Sequence, residues 1–228
     1  MFNFAGGMLT GAEIERQIKK GNIMIDPYDP KCINPNSYNL KLHPQLKVYK
    51  RSSADNRSNI VPATRTFDTH TNHHVLTEIE RIKECAFLEN AQLPPIDMMQ
   101  DNETIEFEIG EEGYVLQPGV LYIGRTVERT ATDKFIPMIN GRSSGGRLGI
   151  SIHICAGFGD IGFDGTWTLE ITAVEPVIIY PYTEIAQVCY FKPCGNTKKL
   201  YRGRYYKQEE ATASRFFKPK QEVYKYEY

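Results

Sequence analysis

TWTLEITAVEPVIIYPYTEIAQVCYF, residues 166–191, is the stretch on which the fold turns. It reads as short strands, TWTLEITAVE and then PVIIYPYTEIAQVCYF, with β-branched and aromatic runs separated by Pro. Upstream the pattern recurs in IEFEI (105–109), GYVLQPGVLYIGRTVE (113–128), KFIPMIN (134–140) and LGISIHI (148–154), with Gly and Pro between them. That spacing, roughly 8 to 12 residues from strand to strand, is what an all-β barrel or jelly roll produces. SYNLKL (37–42) alternates like one more half-buried strand. No repeat of fixed period is visible, so propellers and solenoids fit poorly. The expected class is mainly β.

A short helix precedes these strands. In LTGAEIERQIKKG (9–21), Leu9, Ile14 and Ile18 recur at helical spacing, Thr10 is placed to cap, Glu13 follows three residues later and Gly21 stops the run. Residues 51–104 differ in character: they are polar, contain THTNHH, and hold a helical pattern at LTEIERIKECAFLEN (76–90) before the loop-like QLPPIDMMQDN (92–102). They read as a partly helical insertion in a single domain over 1–217, leaving 218–228 as a C-terminal tail. His70, His73 and His74 sit in a polar segment without a committed helix and read as solvated loop, not as metal ligands.

At 228 residues the chain can bury a substantial core. Lys plus Arg number 27 against 28 Asp plus Glu, which leaves no global field to gather nucleic acid or an anionic membrane. Residues 196–228 are the exception, with nine Lys or Arg against four Asp or Glu. Five cysteines without CxxC spacing and the lack of a signal-peptide pattern at the N-terminus point to a reduced, cytoplasmic protein. No apolar run approaches the roughly 20 residues that span a bilayer.

Three segments carry chemistry. GRSSGGRLG (141–149) offers two guanidinium forks, Arg142 and Arg147, two hydroxyls, Ser143 and Ser144, and glycines that let backbone N–H groups approach an anion. The same composition also suits a surface turn whose arginines make solvated ion pairs, and its spacing matches no nucleotide-binding fingerprint. In AGFGDIGFDGTWTLEI (156–171) a glycine-rich connection bears Asp160 and Asp164 and leads to Glu170. Apolar neighbours at Leu169 and Ile171 would raise the proton affinity of Glu170 enough for acid–base work; the alternative is an outward-facing Glu in an alternating strand. YRGRYYKQEEATASRFF (201–217) is the basic, aromatic end of the chain, suited to closing over an anionic ligand or to remaining a solvated terminus.

GRSSGGRLG, HICAGFGDIGFDGTWTLEI, Gln187 in IAQVCYF, YRGRYYKQ and ATASR, in this order, resemble the dCTP deaminase family, a branch of the trimeric dUTPase superfamily. The likeness is weak over about 8–50 and good over 105–217; 51–104 and the last eleven residues lie outside it. It implies a distorted jelly-roll fold, the dUTPase-like β-clip, and a homotrimer with active sites between subunits. It further implies hydrolytic deamination of dCTP to dUTP and ammonia, with dTTP as an inhibitor. Carried over by position, Glu170 activates water and passes its proton to the leaving ammonia. Ser143 and Arg147 surround that water, and the Ala156 carbonyl orients base and water. Asp160 meets the 3′-hydroxyl, while Arg142, Ser144 and Gln187 serve the phosphate side. Tyr201, Arg204, Tyr205 and Gln208 belong to a tail that closes over the triphosphate.

Zinc nucleobase deaminases use an HxE element and a PCxxC element, and the sequence carries neither, so the expected mechanism is zinc-independent. Magnesium is expected to ride on the substrate phosphates. Gly159 and Ile161 depart from the family pattern around Asp160 and predict a looser loop there. Two alternatives stay open. One is a bifunctional enzyme, or a plain dUTPase, releasing dUMP and pyrophosphate with Asp160 positioning a water at the phosphate. The other is a nucleotide-binding regulatory protein that uses residues 51–104 to contact a partner.

Overall fold

A computed structural model describes residues 7–50, 95–155 and 157–217. Residues 51–94 of the expected insertion, with its helix and His70, His73 and His74, lie outside the described residues, as do Ala156 and the tail at 218–228.

The first elements follow from local chemistry. β1 (Gly7–Met8) leads into α1 (Gly11–Lys19), where the Thr10 hydroxyl accepts the Glu13 N–H at 3.3 Å and Gly21 ends the helix at φ +73°. Ile14 faces the core and is fully buried. β2 (Met24–Asp26) and a 3-10 turn at Pro30–Cys32 precede β3 (Tyr38–Lys41) and β4 (Gln45–Tyr49). Then come β5 (Thr104–Glu108), β6 (Tyr114–Leu116), β7 (Tyr122–Ala131) and β8 (Ile136–Gly141). A short helix, α2 (Ser143–Arg147), separates β8 from β9 (Ile150–Ser151). β10 (Asp164–Ala173), β11 (Val177–Ile179) and β12 (Glu184–Lys192) complete the strands.

Strand β12 is the spine of one sheet. β8 pairs with it over Ala186–Phe191, and β3 and β1 share its other side. A second sheet runs β5-β4-β7-β10-β9, with β2 also paired to β7, and β6 and β11 form a two-stranded ribbon. Leu40, Ile139, Val188 and Tyr190 of the first sheet join Leu46, Leu169 and Ile171 of the second in one buried cluster. Each such Leu or Ile contributes about 1.5–3 kcal/mol by leaving water. The result is the jelly-roll-like β fold that the strand spacing predicts.

Two local expectations change. LGISIHI is strand only at β9, because that edge pairs with Thr172 and Ala173 alone before the chain turns away. GRSSGGRLG is no open glycine loop. Gly146 N–H donates to Arg142 O (3.0 Å) and Leu148 N–H to Gly145 O (3.0 Å), so local backbone bonds wind residues 143–147 into α2.

Candidate active site

Glu170 stands in the ten-residue strand β10, opposite Ile123 of β7. Thr168, Glu170 and Thr172 are half-buried on one face, whereas Leu169 and Ile171 are fully buried on the other. The period of two thus separates Glu170 from its apolar sequence neighbours, correcting the expectation that it lies among them. Backbone groups hold it instead. Its N–H donates to Ile152 O (2.9 Å), and the Ile154 N–H donates to its Oε2 (2.8 Å). One carboxylate oxygen is thus oriented by an N–H, and the other has no hydrogen-bond partner among the described residues, which is the arrangement that proton exchange requires.

Ser143, Ser144 and Arg147 are exposed on α2. An added Cβ at Gly145 or Gly146 would meet nothing within 4 Å, so the outer side of this turn is open. Arg142 is tied down: its guanidinium pairs with Glu184. Glu184 also accepts Asn39 Nδ2 (3.0 Å) and, on its other oxygen, the Cys32 thiol (3.8 Å), whose pKa is pushed up chiefly by burial. The ion-pair reading of this stretch therefore describes Arg142, while the Arg147 side chain makes no hydrogen bond or ion pair among the described residues. Gln187 on β12 buttresses the same corner. Its Oε1 accepts from the Ser37 hydroxyl (2.8 Å), and its Nε2 donates to Gly141 O (3.0 Å). Among the described residues no hydrogen bond or ion pair joins Ser143 or Arg147 to Glu170.

Asp160 is exposed on a turn that the structure fastens firmly. Gly159 N–H donates to Pro137 O (2.9 Å), Gly162 N–H to Thr132 O (2.8 Å), and Tyr201 N–H to Ile161 O (2.7 Å). A Cβ on Gly159 would stand 2.5 Å from Trp167, so packing demands glycine there. The looser loop expected from Gly159 and Ile161 is corrected accordingly. Ala156, expected to orient base and water, lies outside the described residues.

The tail, 201–217, lies back on this body. The Tyr201 ring is 6.3 Å from that of Phe163, and its hydroxyl accepts the Tyr205 N–H (3.2 Å). Arg215 donates to Arg204 O (2.7 Å) and, through its N–H, to the Tyr205 hydroxyl (3.1 Å). Gln208 is buried, with its Nε2 donating to Thr166 O (2.8 Å) and Thr168 Oγ1 (3.2 Å) while its backbone carbonyl accepts the Thr166 N–H (2.9 Å). It stitches the tail to the strand that carries Glu170. Further along, Ala211 N–H donates to Gln45 Oε1 (3.1 Å), beside His43 and Arg125. Glu184, Asn39 and Ser37 escape a reading of the sequence, because nothing in PYTEI or NPNSYNL marks residues whose partners are so distant.

Comparison with known proteins follows this geometry. A family model described as dCTP deaminase-like matches residues 8–84 and 74–192. A protein of Hathewaya histolytica named dCTP deaminase, dUMP-forming, is 39% identical over 211 residues, 92% of this chain and 98% of that protein. One of the same name from Leptospira biflexa is 36% identical over 211 residues, 92% of this chain and 97% of its own. The crystal structure of 2′-deoxycytidine 5′-triphosphate deaminase from Agrobacterium tumefaciens matches with a TM-score of 0.51 and 18% identity, over 82% of this chain and 48% of that one. At that identity it speaks to the fold.

Proposed function

The chain belongs to the dCTP deaminase-like family, and from that premise we propose that it hydrolyses the 4-amino group from dCTP and carries the product on to dUMP and pyrophosphate. The observation that carries the chemistry is Glu170 on β10, its carboxylate oriented by the Ile154 N–H. The dUMP-forming names of relatives up to 41% identical favour the bifunctional alternative over release of dUTP.

In the first step a water oxygen adds to C4 of cytosine and the amino group departs as ammonia. Glu170 takes the proton from that water and returns it to the departing nitrogen. Ser143 supplies a hydroxyl and Arg147 a guanidinium to the charge that develops, and the Ala156 carbonyl orients base and water. Asp160 accepts the 3′-hydroxyl. Arg142, already oriented by Glu184, and Ser144 meet the phosphates, with Gln187 bracing the start of the basic stretch. Tyr201, Arg204, Tyr205 and Gln208 belong to the segment that closes the site against water. In the second step water attacks the α-phosphorus and pyrophosphate leaves, with Asp160 positioning that water.

Magnesium is proposed as a passenger on the substrate phosphates, which the hydroxyls of α2 and the guanidinium groups of Arg142 and Arg147 would flank. When bound it would neutralise phosphate charge. A homotrimer completes the proposal. Leu148, Ile154 and Phe158, between α2 and β10, and Val174, just past β10, are 59–73% exposed, apolar side chains suited to burial against neighbouring copies.

The test is a product assay on dCTP, CTP and dUTP with magnesium. Equimolar ammonia, dUMP and pyrophosphate from dCTP are expected. Accumulating dUTP as the end product would remove the second step, and cleavage of dUTP without turnover of dCTP would remove the first.

A further inference from the structure

Beside the Asp160 turn lies a guanidinium that the reaction above does not use. Arg202 Nη1 donates to Gly162 O (2.8 Å) and to Tyr201 O (2.7 Å). Its Nη2 lies 3.8 Å from Asp133 Oδ1, and its Cζ sits 4.5 Å over the Tyr206 ring. One side chain therefore touches the turn, the tail and the loop before β8. Gly162 permits the approach. At φ +92° a Cβ there would stand 2.9 Å from Arg202 Nη1 and 2.8 Å from Leu200 Cβ. The backbone repeats the link one residue earlier, through Tyr201 N–H to Ile161 O.

We propose that Arg202 is a positioning residue that locks the Asp160 turn to the tail, so that seating the sugar and closing the tail over the phosphates are one event. The identity of the substrate rests on the deaminase reading. The lock itself rests on the fork. A lysine ammonium is a point charge that does not reproduce the two carbonyl bonds, the Asp133 contact and the stack on Tyr206 together.

The experiment compares wild type, Arg202→Gln, Arg202→Lys and Asp133→Asn by steady-state kinetics on dCTP and by amide hydrogen exchange of the nucleotide-free proteins. A change that removes binding shared by ground and transition states raises KM and leaves kcat, so Arg202→Gln is expected to raise the dCTP KM by about tenfold or more with kcat within about threefold. Arg202→Lys should recover part of that loss, and Asp133→Asn, which keeps both carbonyl bonds, should stay near wild type. The Gly162 and Tyr201 amides should exchange faster in Arg202→Gln while those of β10 do not. Unchanged KM with unchanged exchange overturns the lock; so does a uniform loss of protection with no selective rise in KM. If the wild type leaves dCTP intact, the deaminase reading fails separately, and exchange at Gly162 and Tyr201 alone decides for or against the lock.

Discussion

Glu170 and the basic turn at 142–147 are held in opposite ways. The carboxylate sits in a strand paired to β7 along most of its length, and backbone N–H and C=O groups at Ile152 and Ile154 fix it from the other side. The turn is a single helical winding with exposed hydroxyls, tied to the body through side chains: Arg142 to Glu184, and Gln187 to Gly141 O. Backbone ladders resist displacement, whereas a side-chain pair at the surface yields to a competing anion at small cost. Proton transfer needs a group whose position does not vary; a triphosphate needs groups that can exchange partners as it arrives.

The comparison breaks most visibly at its rigid half. Glu170→Gln should lower ammonia release by roughly 10²–10⁴-fold while dCTP binding, read by calorimetry, stays within a few-fold. Residual turnover near wild type would show that the anchored group is not the proton carrier. On the open half, Arg147→Ala should cost roughly 10²–10³-fold in kcat/KM without moving the thermal midpoint, since the exposed Arg147 side chain holds nothing among the described residues. A large fall in midpoint would instead make it structural.

Gln208→Ala tests the tail between these extremes. It removes two side-chain bonds to β10, about 1 kcal/mol each, and leaves the Thr166 carbonyl and the Thr168 hydroxyl poorer in partners. A rise of several-fold in KM, with exchange quickened over 205–212 and not over β10, is the expected result; exchange quickened throughout β10 would make tail and strand one unit.

The smallest effect is one of pH. His43 Nε2 lies 2.6 Å from Arg125 Nη2; burial first, and the Arg125 charge second, hold its pKa below the ordinary value, with Glu108 opposing. The folded protein then binds fewer protons here than the unfolded chain, so this contribution is whole above about pH 6.5 and is lost as pH falls below it. Wild type should lose more thermal stability between pH 8 and pH 5 than His43→Asn does. Equal losses would contradict the assignment.

What the sequence discloses and what it hides divide along the same line. The Thr10 cap, the Gly21 stop and the strand at 166–173 are written in neighbouring residues, through capping chemistry and a period of two, and the structure reproduces them. Which face Glu170 occupies follows from that period as well, once the strand is placed. The winding of α2 is concealed because its glycines read as loop until backbone bonds at 142–149 are formed. Arg142 with Glu184, Gln208 with Thr166, and Arg202 with Gly162 lie 40 or 42 positions apart and leave no local signal. They exist only after the sheets have brought their segments together.

The most direct measurement of the central claim, that one site takes dCTP through to dUMP, is a single turnover of base-labelled dCTP by excess enzyme in a large pool of unlabelled dUTP. The account predicts that label passes into dUMP without entering the dUTP pool. Label trapped as dUTP would contradict it, leaving a deaminase that releases its first product.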